Sequence, residues 1–363
     1  MREDATMMSM GQMKAVVLTG HGGPEMLRPY DDWPRPVPEA GEVLVRVLAA
    51  AVNNTDIWTR QGAYGLPGDP HAQAGWRGPL HFPRVQGGDI CGVIAEVGPG
   101  VDPARIGQRV LVDPALYRDH TRGAPPVGLL GSEADGGFAE FVTATEAQTH
   151  DVTDSPLSDE QLAALPVAYG TAMGMLERAD VAAGETVVVT GASGGVGLAL
   201  VQLAKARGAT VIAVTSGDKT TDVLAAGASH TVDRNGDLAP QVARYSPEGV
   251  DAVADVVGGP LIGQLMPLLG DDGRWVIAGA VAGAVVEFDL RRLYLHNIAL
   301  IGSAMHTREH FDALLRTARD GAVRPVIAAR YPLEELTTAQ EQFLQYRHVG
   351  KIVVTVADRN DHP

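Results

Sequence analysis

An α/β architecture is written into this chain: a β-rich first part, then a doubly wound sheet of parallel strands. Its clearest sign is the run Thr-Val-Val-Val-Thr-Gly-Ala-Ser-Gly-Gly-Val-Gly, which ends at Gly197 and leads into the helical pattern LALVQLAKARGA. Strand, glycine turn and helix in that order build a phosphate-binding turn, because small residues let backbone N–H groups at the helix start approach a pyrophosphate. The literal motif is A-x-G-x-x-G, with Ala192 in place of the first glycine. The second sign is the alternation of strand and helix patterns after about Leu157, which implies parallel strands with helices on both faces. The third is the texture of the first 150 residues, where short alternating apolar runs are broken by Pro and Gly.

In chain order, the first dozen residues (MREDATMMSMGQ) lack the basic-then-apolar layout of a secretory signal and read as a lead-in. Glu42–Val47, Gly92–Val97 and Phe138–Thr143 alternate as half-buried strands do. Residues 65–83 and 113–137 read as long loops, a length that suggests a lid or binding surface. The parallel strands are expected at Thr186–Thr190, Thr210–Val214, Asp251–Val257, Arg274–Ala278 and Ala299–Gly302. Helical patterns cover Gly195–Arg207 and Asp218–Ala226. The tail reads as a helix at Arg308–Asp320, a helix or turn near Leu333–Gln345, and a last strand at Lys351–Val356.

Composition narrows the function. With 363 residues the chain holds two cores, and its 45% hydrophobic and 20% charged residues are those of a globular protein. A net charge of −15 without a basic block argues against nucleic acid and anionic membranes. A single cysteine, Cys91, allows no internal disulfide and no cysteine-rich zinc cluster. No stretch is long and apolar enough to span a bilayer, and a reducing cytoplasm is the expected location. The expected partner is a small molecule.

Ordered motifs run through nearly the whole length: MKAVVLTGHGGPE, AAAVNNTDIWTRQGAY (49–64), FPRVQGGDICGVIAEVGPGV (82–101), IGQRVL (106–111), LPVAYGTAMGML (165–176), GASGGVG (191–197), VDAVADVVGG (250–259), the Gly302–Ser303 pair and GKIVV (350–354). In these the chain resembles the medium-chain dehydrogenase/reductase superfamily, within its zinc-independent quinone and enone reductase branch. The resemblance implies a split GroES-like catalytic domain, residues 1–153 and 304–363, around an inserted Rossmann domain, residues 154–303. The active site would be the cleft between them. It also implies cofactor contacts from Thr171, Ser303 and Lys351, and a homodimer formed by edge-to-edge extension of the Rossmann sheet. The zinc-dependent relatives hold a metal at positions matching Asn53, Gly88 and Val167, none a good zinc ligand, so no zinc is expected. His306-Thr-Arg-Glu309-His310 spells H-x-x-E-H, but outside its protease context it reads as two exposed histidines and a helix-start glutamate.

The expected cofactor is NADPH, with NADH less favoured. An NAD reader carries an acid at the tip of the second Rossmann strand, whereas TVIAV here runs into Thr215, Ser216 and Gly217. Ser216 and Lys219 would meet a 2′-phosphate, while Asp218 would serve a diol or cap a helix. Gly194, Gly195, Val196 and Gly197 would hold the pyrophosphate, and Gly279, Ala280 and Val281 would approach the nicotinamide.

Chemistry follows from the missing metal. An unactivated hydroxyl has a pKa of about 16, and lowering it to about 7 takes roughly 12 kcal/mol. One hydrogen-bond donor supplies about 2.7–4 kcal/mol. Quinones and α,β-unsaturated carbonyls are already electrophilic, so hydride transfer to an activated alkene or quinone is the expected reaction. A zinc-free alcohol or aldehyde oxidoreductase and an NADPH-binding protein with little turnover are the alternatives. The candidate catalytic groups are Asn53, whose amide either donates to a substrate carbonyl or bonds loop backbone, and Tyr64 and Tyr169, each either a phenolic donor or, by default, an amphipathic wall residue. Asp56 reads as a helix cap. Asp113, Tyr117 and His120, in the atypical loop, either reach the cleft or, by default, lie on a solvated loop face, and Trp58 and Trp76 line a pocket or fill the core.

Overall fold

The computed structural model describes residues 11–64 and 74–357. Part of the loop expected at 65–83 thus lies outside the described residues. Two sheets dominate. In the first, Glu42–Ala51 is central: it pairs with Asp89–Val97, with Phe141–Thr145 and with the late strand Lys351–Thr355. Its sequence, EVLVRVLAAA, is apolar on both faces, as befits a strand covered on both sides. The sheet continues through Arg109–Val112 and Thr149–Asp151 on one edge and Ile327–Pro332 on the other. A smaller sheet of Gln12–Leu18, Leu27–Pro34 and Arg84–Val85 packs beside it.

The second sheet is wholly parallel. Its order is His230–Asp233, Thr210–Thr215, Thr186–Val189, Val250–Asp255, Leu269–Ile277, Ala299–Gly302. The strand order reverses between Thr186–Val189 and Val250–Asp255, and this switch point opens a crevice at the carboxyl ends of the strands. The strand His230–Asp233 was absent from the expectation. Its four residues, HTVD, are too short and polar to stand out, and their pairing with Ile212–Thr215 makes them a strand.

An apolar core crosses the seam between the sheets. It joins Ala49, Cys91 and Leu111 of the first to Leu162, Tyr169, Leu200 and Phe311 around the second. The helix Ala168–Arg178 runs through this core, with nine of its residues buried. The stretch 113–137 is not wholly irregular: Ala115–Tyr117 and Pro126–Leu129 form a small antiparallel hairpin.

Candidate active site

The phosphate turn leaves the strand Thr186–Val189 and enters the helix Gly195–Ala206, with Gly194 at its N-cap. Gly191 has φ +56°, and a Cβ at Gly197 would sit 2.1 Å from the Gly191 carbonyl oxygen, so both positions need glycine. Gly194, Gly195, Val196 and Gly197 therefore lie together at the first turn of a helix beside the switch point, where backbone N–H groups face outward.

A cavity of about 460 Å³ opens next to it. Gly279, Ala280 and Ser303 line it together with Gly258, Gly259 and Asp255, and Trp58 closes it from the opposite domain. Val281 lies just outside, 47% exposed. The Ser303 hydroxyl accepts from Arg178 at 3.0 Å. Thr171 is buried, its hydroxyl 3.5 Å from the Met305 sulfur.

At the tip of Thr210–Thr215, Ser216 and Lys219 come together with Asp218. The Ser216 side chain bonds Asp218 and lowers its pKa, while burial lowers that of Lys219. The Lys219 ammonium donates to the carbonyls of Tyr346 (2.7 Å) and His348 (3.3 Å). Arg234, which sequence reasoning missed, is the other cation here: its N–H donates to the Thr215 carbonyl, and its charge is felt by both Asp218 and Lys219. It enters the site only because His230–Asp233 pairs beside Thr210–Thr215.

Behind the cavity lies a buried polar network. The Lys351 ammonium donates to Asn53 Oδ1 (2.5 Å), Asp89 Oδ2 (2.9 Å) and the Val52 carbonyl (3.1 Å). The Asn53 amide donates to Asp89 Oδ2 (2.8 Å) and the Ala51 carbonyl (3.2 Å), and the Val167 N–H donates to Asp89 Oδ1 (2.6 Å). Both Asn53 amide hydrogens thus have partners inside the protein, one of them backbone. Asp56 caps the helix Asn54–Gln61, its carboxylate accepting from the Asn53 N–H at 2.8 Å. Burial pushes its pKa up to about 7.

On that helix, Trp58 and Thr55 are one turn apart and share a face. The Tyr64 ring packs edge-on against Trp58 at 5.4 Å, and its phenol donates to the Thr55 hydroxyl at 3.2 Å. Burial pushes the Tyr64 phenol up to about 12, so it stays protonated. Thr55 was missed because a threonine in a helix's first turn resembles an ordinary helix start. Tyr169 is not brought to this group: its phenol donates at 3.0 Å to the Gln202 amide oxygen, which also accepts from the Arg324 N–H. Trp76 packs with Leu129, Val167 and Met305.

Two expectations about the loop need correction. Asp113 and His306 are not solvated: they are 3% and 0% exposed, and His306 Nε2 lies 2.8 Å from Asp113 Oδ1. The Tyr117 phenol donates to the other Asp113 oxygen at 2.7 Å. A Cβ at Gly170 would lie 2.3 Å from His306 Nδ1, so a glycine in the neighbouring helix makes room for this buried pair. His120 is exposed. His310 is half-buried, its pKa lowered to about 4 chiefly by burial, and Glu309 pairs with Arg122.

The three positions that the resemblance matches to zinc ligands lie close together. Gly88 faces Val167, a Cβ there lying 3.2 Å from Val167 Cγ2, and Asp89 ties Val167 to Asn53. They offer an amide, no side chain and an isopropyl group, and the Asp89 carboxylate that links them is already paired with the Lys351 ammonium. This donor set does not fit zinc, which takes thiolate, imidazole or carboxylate. Among the described residues no three His, Cys, Asp or Glu side chains group to hold a metal ion.

A glycine turn at the switch point of a parallel sheet, facing an apolar cleft roofed by a second β domain, defines a two-domain oxidoreductase of the nicotinamide-dependent kind. Residues 39–154 match the family model for the alcohol dehydrogenase GroES-like domain, and residues 195–320 that for zinc-binding dehydrogenases. Acryloyl-coenzyme A reductase of Metallosphaera sedula is 33% identical, the alignment covering 94% of this chain and 100% of that protein. Human quinone oxidoreductase is 29% identical over 93% of this chain and 96% of its own. A solved structure from Sinorhizobium meliloti 1021, provisionally described as an alcohol dehydrogenase, superposes with a TM-score of 0.91 at 46% identity, covering 97% and 100% of the two chains. The chain belongs to the medium-chain dehydrogenase/reductase superfamily, in its quinone oxidoreductase-like branch.

Proposed function

We propose that this enzyme is a metal-independent, NADPH-dependent reductase of activated alkenes or quinones. The observation that carries the reading is the Asn53–Asp89–Lys351 network: beside the positions that the resemblance matches to the zinc ligands, it sets an amide next to a carboxylate already paired with an ammonium, a poor donor set for zinc. Without a Lewis acid, deprotonating an alcohol lacks roughly 12 kcal/mol of help, while an enone or quinone needs only positioning and a donor. The names of the acryloyl-coenzyme A and quinone reductase relatives support the same class.

A dihydronicotinamide held in this cleft would supply the hydride for the β-carbon of an enone. The chain's own residues do the rest. The turn Gly194–Gly197 holds the pyrophosphate, and the small residues Gly258, Gly259, Gly279 and Ala280 leave room for flat rings between them and Trp58. The Thr55 hydroxyl, its oxygen accepting from the Tyr64 phenol, is left to donate its own proton to the substrate carbonyl and stabilise the enolate oxygen. A proton from solvent then reaches the α-carbon and completes the reduction. Ser216, Lys219 and Arg234 favour NADPH over NADH, with Asp218 the opposing charge.

The test follows NADPH absorbance with a quinone, an enone and a saturated aldehyde, with and without chelator, and repeats the run with NADH. The expected result is chelator-insensitive oxidation with the first two and a lower KM for NADPH. Aldehyde reduction, or turnover abolished by chelation, overturns the reading.

A further inference from the structure

The buried network raises a question that the reaction itself leaves open: why an ammonium and a carboxylate are sealed at the join of the two domains. Lys351 is 3% exposed and Asp89 0%. Such a pair gains little stability over well-packed apolar residues, so stability is a poor reason for it. Its connections suggest a better one. Lys351 opens the strand Lys351–Thr355, and the preceding Gly350 N–H donates to the carbonyl of Ser193, inside the phosphate turn, at 3.0 Å. The Lys351 stem lies against Gly195, where an added Cβ would come within 2.9 Å of Lys351 Cδ. Its head holds Asn53, the N-cap of the helix that carries Thr55 and Trp58. Through Asp89 it also reaches the N–H of Val167, just ahead of the helix Ala168–Arg178. One side chain thus touches the dinucleotide turn along its length and the substrate-side helix at its tip.

We propose that Lys351 is a positioning residue: its stem braces the phosphate turn while its ammonium, anchored by Asp89, fixes the start of the helix Asn54–Gln61, setting the distance between the cofactor and the Thr55 hydroxyl. The inference rests on the reductase reading for the chemistry but not for cofactor binding. A network with only a structural role makes fold stability, cofactor affinity and turnover rise and fall together. A positioning role separates them.

The decisive variant is Lys351→Met with Asp89→Asn, which removes both charges at once and leaves no uncompensated ion. Thermal midpoint is measured on the unliganded chain, NADPH affinity by quenching of tryptophan fluorescence, and kcat and KM with the best quinone or enone. The expected result is a midpoint within about 5 °C of wild type, NADPH binding at least tenfold weaker and kcat at least tenfold lower. Lys351→Arg, which keeps a cationic donor for Asp89 and Asn53, is expected to hold both within about threefold. A double variant with wild-type affinity and kcat overturns the proposal, as does Lys351→Arg losing as much as the double variant. If the double variant does not fold, Lys351→Gln, whose amide still donates to Asp89, replaces it in the same comparison. The fluorescence titration needs no substrate, so failure of the reductase reading shows as wild-type protein that binds NADPH but oxidises none.

Discussion

Asn53, which the resemblance matches to a zinc ligand, was a candidate substrate donor; the structure closes both its amide hydrogens on Ala51 and Asp89. The proposed donor is instead Thr55, two residues further on, in the first turn of the helix Asn54–Gln61. Thr55→Val removes the hydroxyl at nearly constant volume and is expected to lower kcat about a hundredfold, the usual effect of losing one donor to a developing oxyanion. NADPH affinity should stay within twofold. A kcat within threefold of wild type shows that Thr55 does not act on the substrate. Asp56, read from sequence as a cap, is one, but its titration could not be read there because burial sets it. Its folded pKa of about 7 lies above the ordinary 3.8, so the folded state holds the proton more tightly. Its contribution to stability is therefore complete below pH 3.8 and lost as pH rises through 7, by up to about 4 kcal/mol. Asp56→Asn keeps an acceptor for the Asn53 N–H and should lack this slope, so it gains on wild type between pH 4.5 and 7.5 in urea midpoint. A constant gap across that range would falsify the burial of an ionisable Asp56.

Among elements, the phosphate turn was the most legible, because a strand, a glycine turn and a helix repeat one physical requirement at three levels. Its tightest point is Gly197, where even a methyl group meets the Gly191 carbonyl. Gly197→Ala is expected to displace the turn, cost about 1–3 kcal/mol in stability and weaken NADPH binding more than tenfold, read by thermal melting and fluorescence titration. Retained affinity would place the pyrophosphate elsewhere. The long strands were equally plain, since buried parallel strands are continuous apolar runs. The short ones were not. His230–Asp233 and the hairpin within 113–137 owe their existence to partners distant in sequence or to close turns rich in Pro and Gly. The Asp113–His306 pair spans 193 residues of chain, which no local pattern encodes.

For the whole molecule, the Ala299–Gly302 edge of the Rossmann sheet, which has no outer strand partner among the described residues, is the feature with the widest consequence. Ala299–Gly302 pairs with Leu269–Ile277 on one side. Along that edge Leu300 is 43% exposed, with Tyr294 at 64%, Leu295 at 67% and Leu290 at 63% close in sequence. A sheet edge with free backbone groups and apolar side chains is a template for another strand unless something covers it. A second copy of the chain is the simplest cover, because two such edges related by a twofold axis pair with themselves and close. Light scattering should therefore give about twice the 38.1 kDa chain mass. Leu300→Lys, which puts a charge into the continuous sheet, should shift the mass toward one chain while leaving the phosphate turn and NADPH affinity unchanged. A wild-type protein that stays monomeric at micromolar concentration would show that this edge is covered by another partner or tolerated bare. A Leu300→Lys variant that remains dimeric would move the interface to another face.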